Sequence, residues 1–258
     1  MKLKIILALV SALVIGCGMY LFFTRVSQPN PKNILTIGVA SGYAPFISIN
    51  THNEYEGFDI DVAHALAQKM GKKLELLDLG SMTALFMALN QGSIDAIMWG
   101  LSITQERLKR VAMVRYQGEL VTSYPLLFWG AIPGAIKSIE DMKGLTVCVE
   151  PGSSQEAVLA KYYINVLPTE RIDDALLNIQ YGKAAAAFVE PAIAKKFKNK
   201  YPEIVTLDVP LAPEDQVEGI GIAILPENKD VINQVERAIV ALQQDGTLKK
   251  YEEKWGIA

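Results

Sequence analysis

Between Ile34 and Met98 the chain alternates short apolar runs with segments of helical period, which leaves few folds open. Ile34 to Val39 predicts a strand. Asp59 is expected to cap a helix running to Met70, since Val62, Ala63, Leu66, Ala67 and Met70 fall on one helical face and Gly71 supplies a stop. Lys73 to Leu77 predicts a second strand. Ser81 caps the next expected helix, which ends near Gly92, and Ile94 to Met98 reads as a third strand. A strand–helix–strand–helix–strand order calls for a mainly parallel sheet covered by helices on both faces.

A second α/β unit follows. Ser138 is expected to start a short helix ending before Gly144. Leu145 to Val149 predicts a strand, and Ser153 or Ser154 starts a helix through Tyr163. Arg171 to Tyr181 reads as helix with Gly182 as its stop, Ala184 to Val189 as strand, and Pro191 as the first residue of another helix. The first pattern then resumes: a glycine-broken strand from Gly219 to Leu225, a helix from about Asn228 to Gln244, and a closing helix from Thr247 to Trp255. These closing elements are expected to cover the first lobe. The chain would then cross between lobes twice, near Glu119 to Ser123 and near Asp208 to Gln216. Lobe 1 is expected over 34–122 and 211–258, and lobe 2 over 123–210.

Half of the 258 residues are hydrophobic, enough for two lobes with cores, and the formal net charge of −3 with no basic stripe argues against a nucleic-acid partner. Two histidines, His52 and His64, and two cysteines lack metal-ligand spacing, so no metal or other cofactor is expected. Cys148 lies in an apolar strand and reads as a small core residue.

Lys2 and Lys4 precede the uncharged apolar run Ile5 to Ile15, and Val14-Ile15-Gly16-Cys17 has the form of a lipoprotein cleavage site. Residues 1–23 thus read as a signal and lipid-anchor segment with Cys17 as the lipidated residue. A second reading stands beside it. Ile5 to Phe23 is about 19 uncharged residues, roughly enough to span a bilayer uncut. Either way the folded part lies outside the cytoplasm, tethered to a membrane by the polar, proline-containing residues 24–33.

In an α/β sheet, ligands bind beyond the carboxyl ends of the strands. Four such ends carry candidate residues. Tyr43 follows the first strand and offers an aromatic face. Trp99, Gly100, Ser102 and Arg107 follow Ile94 to Met98. Gly100 permits close backbone approach and offers a carbonyl, and Ser102 a hydroxyl. With Thr104 as N-cap, Arg107 falls at the third helical position, where a cation is disfavoured unless an anion lies beside it. Pro151 to Gln155 form a helix N-terminus with small donors, Ser154 among them. Glu190 precedes Pro191 at an expected N-cap, where an acid suits an ammonium group. Each residue also has a plainer reading as cap, lid or surface charge. Together they supply a guanidinium, hydroxyls, amides, a carboxylate and an aromatic face, a set complementary to an α-amino acid zwitterion. No nucleophile–base pair, phosphate-binding loop or metal cluster stands out.

At these residues the chain resembles the periplasmic polar-amino-acid-binding proteins of ABC transporters. The likeness runs from about Ile34 to Ala258 and rests on Tyr43-Ala44-Pro45-Phe46, Gly57-Phe58-Asp59-Ile60-Asp61, Leu101-Ser102-Ile103-Thr104 with Arg107, Gly152-Ser153-Ser154-Gln155-Glu156, and Gln244-Asp245-Gly246-Thr247 with Lys254-Trp255-Gly256. Within that family it is most similar to arginine-binding lipoproteins. The resemblance implies a two-lobed Venus-flytrap fold, α/β in each lobe, with no cofactor. It implies that Arg107, amides near Ser102, and Ser154 clamp a ligand carboxylate. It further implies that the Gly100 carbonyl, the Ser102 hydroxyl and Glu190 hold the amino group, and that Tyr43 and Met82 sandwich the side chain. The pocket departs from the usual pattern at Ala40, Met82, Trp99 and Glu190.

The function implied is an extracytoplasmic monomer that captures a polar or basic amino acid, arginine among the candidates, and delivers it to an ABC permease. Closure by hinge motion would join the four parts of the site. Micromolar binding needs about −8 kcal/mol, within reach of several charge-assisted hydrogen bonds. Two alternatives remain at this stage: a periplasmic dehydratase-like enzyme on the same scaffold with Glu190 as acid, and a sensing module acting through a separate partner.

Overall fold

A computed structural model describes residues 33–257 of the chain. The signal and anchor segment with Cys17, and the tether up to residue 32, lie outside the described residues.

In chain order the first lobe holds β1 (Ile34–Val39), the hairpin strands β2 (Ser48–Ile49) and β3 (Tyr55–Glu56), α1 (Phe58–Lys69), β4 (Lys73–Asp78), α2 (Met82–Asn90), β5 (Ala96–Ile97), α3 (Gln105–Leu108) and β6 (Ala112–Gln117). The second lobe holds β7 (Ser123–Trp129), β8 (Thr146–Val149), α4 (Ser154–Lys161), β9 (Asn165–Pro168), α5 (Ile172–Gln180), β10 (Ala186–Phe188), α6 (Pro191–Lys200) and β11 (Ile204–Pro210). The chain returns through β12 (Ile220–Ile224), α7 (Lys229–Gln244) and α8 (Thr247–Trp255).

The two lobes are built alike. The first sheet has the order β4-β1-β5-β12-β6 and the second the order β11-β7-β10-β8-β9. The expectation of parallel strands holds for β4, β1 and β5 and for β10, β8 and β9. The remaining pairings, β5–β12, β12–β6, β7–β10 and β7–β11, are antiparallel, so each sheet is mixed. This arrangement brings both crossing segments to one edge of each sheet. β6 ends, and β12 begins, on the side where β1 and β5 end. β11 ends, and β7 begins, where β8 and β10 end. The two crossings run side by side there, joined by Val121 N–H to the Val217 carbonyl at 2.8 Å and Val217 N–H to the Val121 carbonyl at 3.3 Å.

Most boundaries shift by a few residues from the sequence reading, and some assignments change. The strand expected at Ile94 to Met98 is reduced to two residues. Ser138 starts no α-helix; a 3-10 turn at Glu140–Met142 stands there, and the Asp141 carboxylate accepts from the amides of Lys137 and Ser138. The strands β6, β7, β9 and β11 carry no assignment in the sequence reading. In β7, Leu126 and Phe128 pack in one apolar cluster and Leu127 in another, so both faces are covered. Such a strand shows a continuous apolar run rather than alternation.

The closing helices are tied to α1 by charge. Lys69 pairs with Asp245 at 2.7 Å, and Asp61 accepts from Lys254 at 2.6 Å and from the Trp255 indole at 2.7 Å.

Asp59 corrects its expected role. The helix starts at Phe58 with Gly57 as cap, and Asp59 is fully buried inside the first turn. Its carboxylate accepts from Gly100 N–H and from the Tyr116 hydroxyl, each at 2.6 Å, pinning the loop after β5 to α1. Burial raises its pKa to about 7, against the lowering effect of Tyr116 and Gly100. The folded protein therefore holds a proton here that the unfolded chain has released, over the window from about pH 4 to 7. Stability from this group is greatest below that window and falls as pH rises through it, by up to ~1.4 kcal/mol per pH unit. Denaturant unfolding at pH 4.5 and 7.5 should show this contribution in the wild-type protein and its loss in Asp59→Asn.

Candidate functional site

Arg107 lies where the lobes meet. Thr104 caps α3 through its hydroxyl, which accepts from Arg107 N–H at 3.1 Å, so Arg107 holds the third helical position that the sequence predicts. Its guanidinium does not point to solvent. Nη1 donates to the Ser102 carbonyl at 2.8 Å within the first lobe. Nη2 donates to the Gly152 carbonyl of the second lobe at 3.2 Å and lies 3.2 Å from the Met82 sulfur. Burial lowers its pKa, opposed chiefly by the negative charge of Glu190. Arginine remains charged under such a perturbation.

Glu190 caps α6 by position only. No hydrogen bond from its side chain closes the helix, and Pro191 at the first helical position needs none. The carboxylate instead accepts from the Tyr43 hydroxyl across the lobe boundary. Tyr43 is buried, stacked on Phe46 and tilted against Trp99. Burial, then the Glu190 charge, lifts its phenol well above the ordinary value, so it stays protonated and donates.

On the second lobe Ser153, not Ser154, is the cap of α4, its hydroxyl accepting from Glu156 N–H at 3.1 Å. Ser154 is thereby released from capping. Its hydroxyl lies 2.9 Å from the Tyr124 hydroxyl. Tyr124 sits at the start of β7, immediately after the first crossing. Burial and Glu190 push its phenol to about 12.

Two cavities open beside these groups. One of about 400 Å³ is lined by Met82, Phe86, Arg107, Gly152 and Ser154. The other, about 240 Å³, is lined by Phe46, Ser102, Tyr124, Glu190 and Val217. Met82, Arg107 and Ser154 line the first and Ser102 and Glu190 the second, and the hydrogen bonds of Arg107 to Ser102, Ser154 to Tyr124 and Tyr43 to Glu190 join these groups along the lobe boundary. Gly100 stands beneath it with φ +55, its N–H committed to Asp59. Trp99 packs behind Tyr43 at 5.7 Å between rings, and its indole N–H has no partner among the described residues. His52 and His64 are exposed, and no group of His, Cys, Asp or Glu among the described residues could hold a metal. Cys148 is a buried core residue with its thiol pKa raised by burial.

Sequence reasoning missed two residues. Glu150 directly follows β8, as Glu190 follows β10 at one residue's remove; the strand-end rule that found one also points to the other. Tyr124 opens an antiparallel strand, which that rule does not cover. A crevice with a guanidinium on one lobe, a carboxylate on the other and hydroxyls between them can bind the two poles of a small dipolar molecule.

The chain belongs to the bacterial extracellular solute-binding proteins, family 3, whose model matches residues 35–258. Among curated relatives, a probable ABC transporter arginine-binding protein, ArtJ of Chlamydia trachomatis, is 32% identical over 223 residues, covering 86% of this chain and 85% of that one. A crystal structure of a mutant of ArgBP from T. maritima superposes with a TM-score of 0.77 at 27% identity, covering 88% of this chain and 96% of the other. An ancestral amino-acid-binding protein described as a precursor of cyclohexadienyl dehydratase gives 0.75 at 27% identity, covering 87% and 96%.

The site rests on Gly100 lacking a side chain. A Cβ there would stand 2.9 Å from Phe46 Cδ2 and 3.0 Å from Tyr43 Cε1, at a positive φ. Gly100→Ala should cost about 1–3 kcal/mol in urea unfolding; unchanged stability would show that the two rings move freely.

Proposed function

We propose that this protein is an exported, membrane-anchored receptor that binds a polar or basic amino acid, arginine first among the candidates, and presents it to an ABC permease. The observation that carries the reading is the placement of Arg107, which touches both lobes and faces Glu190. The ligand carboxylate would take the guanidinium together with the amides near Ser102 and with Ser154. Its ammonium group would take Glu190, the Ser102 hydroxyl and the Gly100 carbonyl, and Tyr43 and Met82 would flank its side chain. Lobe 1 then comprises 34–122 and 211–258, lobe 2 comprises 123–210, and the paired crossings at Val121 and Val217 serve as hinge. Lipidation of Cys17 would hold the protein at the membrane, since a diacylated anchor binds stably.

The family, and relatives named for amino-acid transport, support binding rather than catalysis. A second reading draws on the likeness to the dehydratase precursor: Glu190, hydrogen-bonded to Tyr43, could act as an acid. Incubation with prephenate separates the two, because an aromatic product would favour the enzyme.

A thermal-shift screen of the twenty amino acids with ornithine and citrulline should show stabilisation by basic or polar members, following RT ln(1 + [L]/Kd). Arg107→Ala should weaken calorimetric binding of the best ligand by about 2 kcal/mol or more. Unchanged affinity would remove Arg107 from the site.

A further inference from the structure

We infer that Glu150 is the specificity-determining residue of the cleft: its carboxylate selects ligands whose side chain carries a positive charge. This rests on the amino-acid-binding reading and extends it to the ligand class.

The placement follows from strand register. β10, β8 and β9 lie side by side and parallel, with Ala187 beside Cys148 and Val149 beside Pro168. Each runs into an acid within two residues of its end: Glu190, Glu150 and Glu170. β8 is the middle strand, so Glu150 stands between the other two on the edge that faces the first lobe. It is half-buried, whereas Glu170 is exposed. Two residues beyond it, the Gly152 carbonyl receives Arg107 Nη2. Glu150 thus sits within the electrostatic reach of Glu190, Arg107 and Tyr43.

Charge matching then decides its use. The carboxylates that bear on Arg107 are Glu190 and Glu150; Lys195 also lines the cavity of Glu190, and Glu106, Arg110, Glu214 and Asp215 line the cavity of Arg107. The carboxylate and ammonium groups of an amino acid account for Arg107 and Glu190. Around Arg107 one carboxyl group, Glu150, is then left without a partner charge, and a ligand with a cationic side chain pairs with its ionised form. In the first lobe Asp59 is engaged by Gly100 and Tyr116, Asp78 by the amides of Ser41 and Gly80, and Glu106, at the cavity of Arg107, by Arg110. The first strand itself ends in Ala40, which offers no charge. Burial, and then Glu190, raise the Glu150 pKa well above the usual carboxylate range, with Arg107 only partly opposing them. That is the behaviour of a carboxylate whose charge the protein alone does not offset.

Two buried donors adjoin Tyr43 and Ser154. Trp99, 4% exposed, and Gln155, 1% exposed, each hold a buried N–H donor without an acceptor among the described residues. Trp99 packs on Tyr43, and Gln155 Oε1 accepts from Ser154 at 3.2 Å, so both adjoin residues of the cleft.

The test is calorimetric titration with L-arginine and L-citrulline, which share a shape and differ in side-chain charge. The wild-type protein should prefer arginine by about tenfold or more, the range of one charged hydrogen bond. Glu150→Gln should erase most of that preference by weakening arginine while leaving citrulline nearly unchanged. Glu170→Gln should keep it. Equal affinities in the wild-type protein, or parallel loss of both ligands in Glu150→Gln, would overturn the assignment while amino-acid binding stood. Should Glu150→Gln fail to fold, Glu150→Ala serves, and an unchanged arginine-to-citrulline ratio in that variant would count against Glu150. Binding of no amino acid by the wild-type protein would instead refute the parent reading.

Discussion

A guanidinium held between two carbonyl oxygens on different lobes is the constraint from which the rest of this cleft follows. Arg107 reaches Ser102 on its own side and Gly152 on the other. Neither carbonyl carries a full charge, so the cation is hydrogen-bonded but not neutralised by them. Its compensation comes across the crevice, from Glu190 first and Glu150 after it. Removing a charged group from water is costly unless it is paired. A dipolar ligand that inserts its carboxylate beside Arg107 and its ammonium group beside Glu190 satisfies both lobes at once. A ligand shifts an equilibrium between open and closed forms only by the difference in its contacts with the two.

The fold supplies this encounter through its edges. In each sheet three parallel strands end towards the crevice, and the antiparallel strands carry the chain into and out of it. The crossings therefore lie where the functional loops lie. They are joined by the Val121–Val217 bridge and by Leu211 N–H to the Thr122 carbonyl, while Asp59 and the closing helices tie the first lobe together behind them. Buried Asp59 fixes Gly100, Gly100 leaves room for Tyr43 and Phe46, and Tyr43 meets Glu190. A chain of small steric and hydrogen-bonding demands thus runs from a helix start to the ligand edge.

Much of this was legible in the sequence, and the failures have physical causes. The helices with side-chain caps and glycine stops, such as Met82–Asn90 behind Ser81, are local features and read well. The four strand ends gave Tyr43, Arg107, Ser154 and Glu190, because the carboxyl edge of a parallel strand is a topological rule. Strands buried on both faces, such as Ser123–Trp129, lack alternation, and edge strands such as Asn165–Pro168 are too short to announce themselves. Asp59 looked like a cap because an acid before an apolar helix usually is one; only the tertiary partners Gly100 and Tyr116 reveal its role. Tyr124 depends on an antiparallel return that no local pattern records. The pairing of Arg107 with Gly152, 45 positions away, is a tertiary fact with no local signature.

The most direct measurement is a crystal structure of the complex with the amino acid that stabilises the protein most. The account predicts the ligand carboxylate on the Arg107 guanidinium and its ammonium group on Glu190, with both lobes contributing to one enclosed molecule. A ligand seated on one lobe alone, with Arg107 and Glu190 untouched by it, would contradict the account.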